Sequence, residues 1–194
     1  VALLTRRTLV AAGTTVFGAA LFGKYLARQS EPAPQIATLD GATPDVTMRP
    51  LTDIVRATPP ATLPPVAFTT LDGARKTLAD YAGRPIVLNF WATWCHPCVA
   101  ELPELDRLAA AGPFTVLTVS TDRGGAAVVR PFAAAHHLDH ARVLLDSGSD
   151  AVHALAINGF PTTLLIGADG KLRGTLEGPA AWGDAAGELA KLMA

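Results

Sequence analysis

The stretch Asn89-Phe90-Trp91-Ala92-Thr93-Trp94-Cys95-His96-Pro97-Cys98 decides the fold. Its first half closes an apolar run over residues 85–91, broken only by Asn89, which reads as a buried strand. Its second half opens a helix expected over residues 95–111. Pro97 falls in the first turn, where a missing N–H costs nothing, and Pro103 is expected to bend the helix. Two cysteines three apart at a helix start share a face, so their sulfurs can bond across one turn with little backbone motion. The chain holds no other cysteine. A disulfide-stapled scaffold needs more of them, spread wider, so the pair reads as chemistry or as half of a metal site.

The position in the helix separates the two sulfurs. Unpaired amides and the helix dipole favour negative charge at a helix start, which makes Cys95 the thiolate and nucleophile. Cys98 lies a turn further in and keeps its proton longer. Cys95 is then the attacking thiol and Cys98 the resolving thiol of a dithiol-disulfide exchange. His96 either adds positive charge beside the thiolate or faces water.

Working outward, residues 66–70 and 75–78 flank Asp72-Gly73, a hairpin signal. Residues 114–120 read as a second buried strand and 126–137 as a helix interrupted by Pro131. A short strand follows at 143–145, a short helix at 150–156, a strand at 162–166 with its hairpin partner at 172–176, and a closing helix over 182–193. The fold class is α/β: a central mixed sheet with helices on both faces and an N-terminal hairpin extension. Cys95 stands where a strand hands over to a helix, the usual place for active residues in such units.

The chain has 194 residues, a net charge of −1 and 49% hydrophobic residues. That allows one domain plus something extra, and the charge argues against nucleic acid as a partner. The extra part is N-terminal. Arg6 and Arg7 precede an apolar run of about 14 to 18 residues that contains no acid, the pattern of a signal or membrane anchor at the short limit for a spanning helix. No Ala-x-Ala site is evident over residues 24–35. The expectation is an uncleaved anchor over residues 1–29, arginines inside; a cleaved or twin-arginine export signal is the alternative. Residues 30–62, rich in Pro, Ala and Thr, are expected to be a linker, and residues 63–194 the folded domain.

A zinc site is the competing use of the cysteines, with His136 and His140 at ligand-like spacing. The long gap between the two pairs speaks against it, and the flanking tryptophans and apolar strand have no part in it. No metal and no cofactor are expected.

Residues 89–98 resemble the active-site stretch of the TlpA-like and ResA-like extracytoplasmic thioredoxins. Glu101-Leu102-Pro103 is similar to the Glu-x-Pro that follows the second cysteine in that family, and Gly159-Phe160-Pro161-Thr162-Thr163 to its cis-proline loop. Leu71-Asp72-Gly73 and Tyr81-Ala82-Gly83-Arg84-Pro85 resemble its lead-in hairpin and the turn before its central strand. Gly178-Pro179-Ala180-Ala181-Trp182 leans toward the TlpA branch. The resemblance spans residues 63–193 and implies a thioredoxin-like fold with Cys95 and Cys98 as the redox-active disulfide. It implies catalytic roles for Glu101 and Pro161. Trp94, Phe160 and Thr162 are expected to contact the substrate.

The activity implied is that of a membrane-anchored periplasmic protein-disulfide reductase. Its partners would be disulfide-containing exported proteins, such as apocytochrome c or copper-site assembly proteins. A transmembrane electron donor of DsbD/CcdA type would recharge it. Two other functions fit the same motif. One is a thiol oxidase or isomerase of the same fold, because small shifts in thiolate stability set the reduction potential. The other is a copper chaperone using Cys95, Cys98 and a histidine; copper-chaperone relatives space their cysteines wider.

Overall fold

A computed structural model describes residues 46–183 and 185–194. The expected anchor, and the linker as far as residue 45, lie outside the described residues. Among these, no helix is long and apolar enough to cross a membrane.

The centre is the parallel pair β4 (Ile86–Trp91) and β5 (Thr115–Ser120), joined by α1 (His96–Ala111). Every residue of both strands is buried. A strand covered on both faces need not alternate, so neither segment shows a polar face in the sequence. The flanking elements are β6 (Arg142–Leu145), parallel to β5, β7 (Thr162–Ile166), antiparallel to β4, and β8 (Lys171–Glu177), antiparallel to β7. The hairpin β2 (Ala67–Thr70) and β3 (Arg75–Thr77) docks on β6. Gly73 takes φ +91 in its turn, and Thr70 Oγ1 accepts from Ala74 N at 2.9 Å.

Alternate residues of the strands supply two separate cores. Val87, Trp91, Val116 and Leu165 pack under α1, α2 (Ala126–Ala135) and α4 (Ala186–Met193). Ile86, Leu88, Phe90 and Leu164 pack on the opposite face with Ala151 and Val152 of α3 (Asp150–Ala154). The mixed sheet with helices on both faces is therefore as read from the sequence. α1 runs unbroken through Pro103 and α2 through Pro131.

Two boundaries differ from the sequence reading by more than two residues. The linker does not extend to residue 62: β1 (Val55–Thr62) pairs antiparallel with β8 and forms one edge of an eight-stranded sheet ordered β1-β8-β7-β4-β5-β6-β2-β3. Its Pro59-Pro60 sits at the register break between Arg56 and Ala61, where an edge strand needs no N–H. Gly174 of β8 allows the close approach, since a Cβ there would meet Ile54 Cγ2 at 2.6 Å. The last helix begins at Ala186 rather than Trp182, because Trp182 is drawn into hydrogen bonds with α1.

Candidate active site

The buried strand β4 delivers Cys95 to the start of α1. Cys95 is the N-cap residue with extended backbone (φ −89, ψ 94), its N–H donates to Ala92 O at 3.1 Å, and Pro97 follows in the first turn. Cys95 and Cys98 are joined as a disulfide with Cα atoms 5.3 Å apart. Cys98 is wholly enclosed and Cys95 is 6% exposed, so of the two residues only the one at the helix start reaches the surface. No acidic side chain occupies the first turn of α1, which leaves the helix dipole free to favour a thiolate at Cys95. His96 is exposed.

The turn ahead of the cysteines is fixed by an acid the sequence reading missed. Asp122, 6% exposed, accepts from Thr93 N at 2.9 Å, Thr93 Oγ1 at 2.7 Å and Ser120 Oγ at 2.8 Å. It lies just beyond β5, with α1 and β5 between it and Thr93 in sequence, and no local pattern marks it.

The Phe160–Pro161 peptide is cis, and Pro161 is buried. The Phe160 ring meets Trp94 edge-on with centroids 6.0 Å apart, and Trp94 stands 64% exposed. The fold thus brings Trp94 and Phe160 together beside the helix start that carries Cys95. Thr162 does not face outward with them. It is 2% exposed, its hydroxyl donates to Gly159 O at 2.7 Å, and its backbone pairs with both Phe90 and Glu177. Its side chain braces the loop.

Glu101 is fully buried in the second turn of α1, not solvated at the helix start. Oε1 accepts from Asn89 Nδ2 at 2.7 Å, and Oε2 accepts from Ala180 N at 2.8 Å and Trp182 Nε1 at 3.0 Å. Burial pushes its carboxyl up to about 7, and Glu104 adds to the rise, against the three hydrogen bonds that favour the charged form. Asn89, unexplained in the sequence, links this carboxyl to Thr163 Oγ1 at 3.0 Å, while Asn89 Oδ1 has no partner among the described residues. A rotated Asn89 amide would turn that oxygen to a protonated Glu101, so the site can satisfy both states of the carboxyl.

Among the described residues no group of three or more His, Cys, Asp or Glu side chains is arranged to hold a metal ion. His136 stacks on Phe132 at 4.1 Å. A cavity of about 820 Å³ lies between β2 and α3, and neither cysteine lines it.

Residues 44–191 match the Redoxin family model. The chain belongs to the Redoxin family. ResA of Bacillus thuringiensis subsp. konkukian, a thiol-disulfide oxidoreductase, is 30% identical over 118 residues, covering 59% of this chain and 67% of that protein. The ResA of Geobacillus thermodenitrificans is 31% identical over 121 residues, covering 61% and 68%. The exposed lipoprotein thioredoxin of Streptococcus pneumoniae superposes with a TM-score of 0.58 at 28% identity, over 66% of this chain and 99% of that one. A secreted Mycobacterium tuberculosis disulfide oxidoreductase gives 0.57 at 27% identity, over 65% and 95%. This redoxin is a thiol-disulfide oxidoreductase of thioredoxin-like fold with a Cys95–Cys98 disulfide. The family match begins at 44, which agrees with a folded domain that takes in β1.

Proposed function

We propose that the chain is a reductant of disulfides in exported proteins, working outside the cytoplasm while residues 1–29 hold it to the inner membrane. The observation that carries this reading is the buried Glu101, whose carboxyl is poised near neutrality one helical turn beyond Cys98. Negative charge there opposes thiolate formation at Cys98 and offsets the stabilisation that the helix start gives Cys95. A dithiol whose thiolate is poorly stabilised gives up its electrons more readily, the reverse of a strong oxidant, whose reduced form is stabilised. The same carboxyl can take the Cys98 proton when Cys98 attacks and return it on recharging.

The substrate is a polypeptide rather than a small molecule. Cys95 borders an exposed aromatic surface, Trp94 with Phe160, and the cavity described above lies elsewhere. In this reading the loop at cis-Pro161 presents its backbone to an extended substrate segment, as in strand addition. The names of the pneumococcal exposed lipoprotein and the secreted mycobacterial protein support a place outside the cytoplasm. The substrate class carried by the resemblance is apocytochrome c or a copper-site assembly protein, and a membrane donor of DsbD/CcdA type supplies the electrons.

Thiol alkylation of the full chain in intact cells tests this. A dedicated reductant keeps Cys95 and Cys98 mostly as thiols despite oxidising surroundings, and it becomes oxidised when the membrane donor is deleted. A pair found mostly as disulfide, unaffected by the donor, would mean an oxidase.

A further inference from the structure

Residues 177–182 join three parts of the molecule that are distant in sequence. Gly178 N donates to Pro161 O at 2.8 Å, tying the segment to the cis-proline loop. Ala180 N and the Trp182 indole both donate to Glu101 Oε2, and Trp182 N donates to Glu104 Oε2 at 2.7 Å. From the other side Arg49 grips it: Arg49 N donates to Pro179 O at 2.7 Å, Arg49 O accepts from Ala181 N at 3.0 Å, and Arg49 Nη1 donates to Glu177 O at 3.1 Å. Gly178, at φ +94, gives Arg49 room, since a Cβ there would lie 3.2 Å from Arg49 Cδ. Trp182 is 1% exposed, so its indole has no water to turn to and its N–H is committed to Glu101.

We propose that Trp182 is a positioning residue for the redox pair: its indole N–H, backed by Arg49 through residues 177–182, orients the Glu101 carboxylate and governs the pH at which that group exchanges its proton with the thiols. The proposal rests on the proton role given to Glu101 above. Asn89 of β4, with Thr163 of β7 behind it, faces Glu101 from the sheet, and Ala180 and Trp182 face it from the segment before α4. On its own helix stand Cys98 and Glu104, the latter 3.9 Å from Arg107. Trp182, like Asn89, is a neutral side chain whose removal takes a donor from the charged form of Glu101 without adding or deleting a charge.

Trp182→Phe keeps a ring in the core and deletes the N–H. In the full chain, the pH midpoint of thiol-disulfide exchange assigned to Glu101 should rise by roughly one pH unit, the size expected for losing one hydrogen bond to an ionised group. Combining Trp182→Phe with Glu101→Gln should leave no such shift. An unmoved midpoint in the folded single variant, or an equal shift in the Glu101→Gln background, would overturn the proposal. Should Trp182→Phe not fold, the unaltered protein decides: the Trp182 indole proton resonance should titrate with Glu101 and stop titrating in Glu101→Gln, and a flat trace overturns the assignment. The reduction potential has no part in this test, so failure of the reductase reading would be separately visible.

Discussion

Cys95→Ser should reduce disulfide exchange to the uncatalysed rate, whereas Cys98→Ser should stall it after the first step. In that step the Cys95 thiolate attacks one substrate sulfur. The Cys95–substrate disulfide forms, the substrate disulfide breaks, and the departing substrate thiolate takes up a proton. Cys98 then attacks Cys95 Sγ, the mixed disulfide breaks, the second substrate thiol leaves, and the Cys95–Cys98 bond is restored. The order follows from accessibility, since Cys98 is completely enclosed and cannot begin the reaction. Mass spectrometry of the two variants incubated with a disulfide-bearing polypeptide checks this. Cys98→Ser should accumulate the covalent complex and Cys95→Ser should form none; a complex through Cys98 would reverse the roles.

Folding stability should fall as pH rises from about 4.5 to 7, and Glu101→Gln should remove that slope. In the unfolded chain Glu101 ionises near its ordinary 4.5, whereas in the fold it keeps its proton up to about 7. Across that window the native state binds more protons than the unfolded state, so stability decreases with increasing pH. Stability from this group is complete below 4.5 and lost above 7, a difference of roughly 3 kcal/mol. Glutamine fits the pocket. Its oxygen can face Ala180 N and the Trp182 indole, and its amide can donate to a rotated Asn89, whose Oδ1 has no partner among the described residues. Other titrating groups act equally in both proteins, so subtracting urea-unfolding curves measured from pH 4 to 8 isolates Glu101. Parallel curves would mean that folding does not raise the Glu101 carboxyl above its ordinary value.

The sheet centre was legible because β4 and β5 are continuous apolar runs, and the active turn was legible because Cys-x-x-Cys with proline has few other uses at a helix start. The hairpin showed through Asp72-Gly73. β1 was hidden for a physical reason. It is an exposed edge strand containing Pro59-Pro60, so it carries neither alternation nor β-propensity, and its place depends on β8, more than a hundred residues away. Trp182 looked like the start of a helix because its hydrogen bonds are to α1 rather than to its own segment. Glu101 could be singled out because Glu101-Leu102-Pro103 resembles the family's Glu-x-Pro. Its burial and its bonds to Asn89 and Trp182 are tertiary facts with no local signature. The Thr162 hydroxyl, turned inward to Gly159 O, is likewise a detail that no local pattern marks.

If the buried Glu101 makes this dithiol a reductant, the reduction potential of Cys95–Cys98 in the full chain, equilibrated against a dithiol buffer at pH 7, decides it. A reductant has a value near or below roughly −270 mV. A value near roughly −120 mV, that of a strong oxidant, would contradict it.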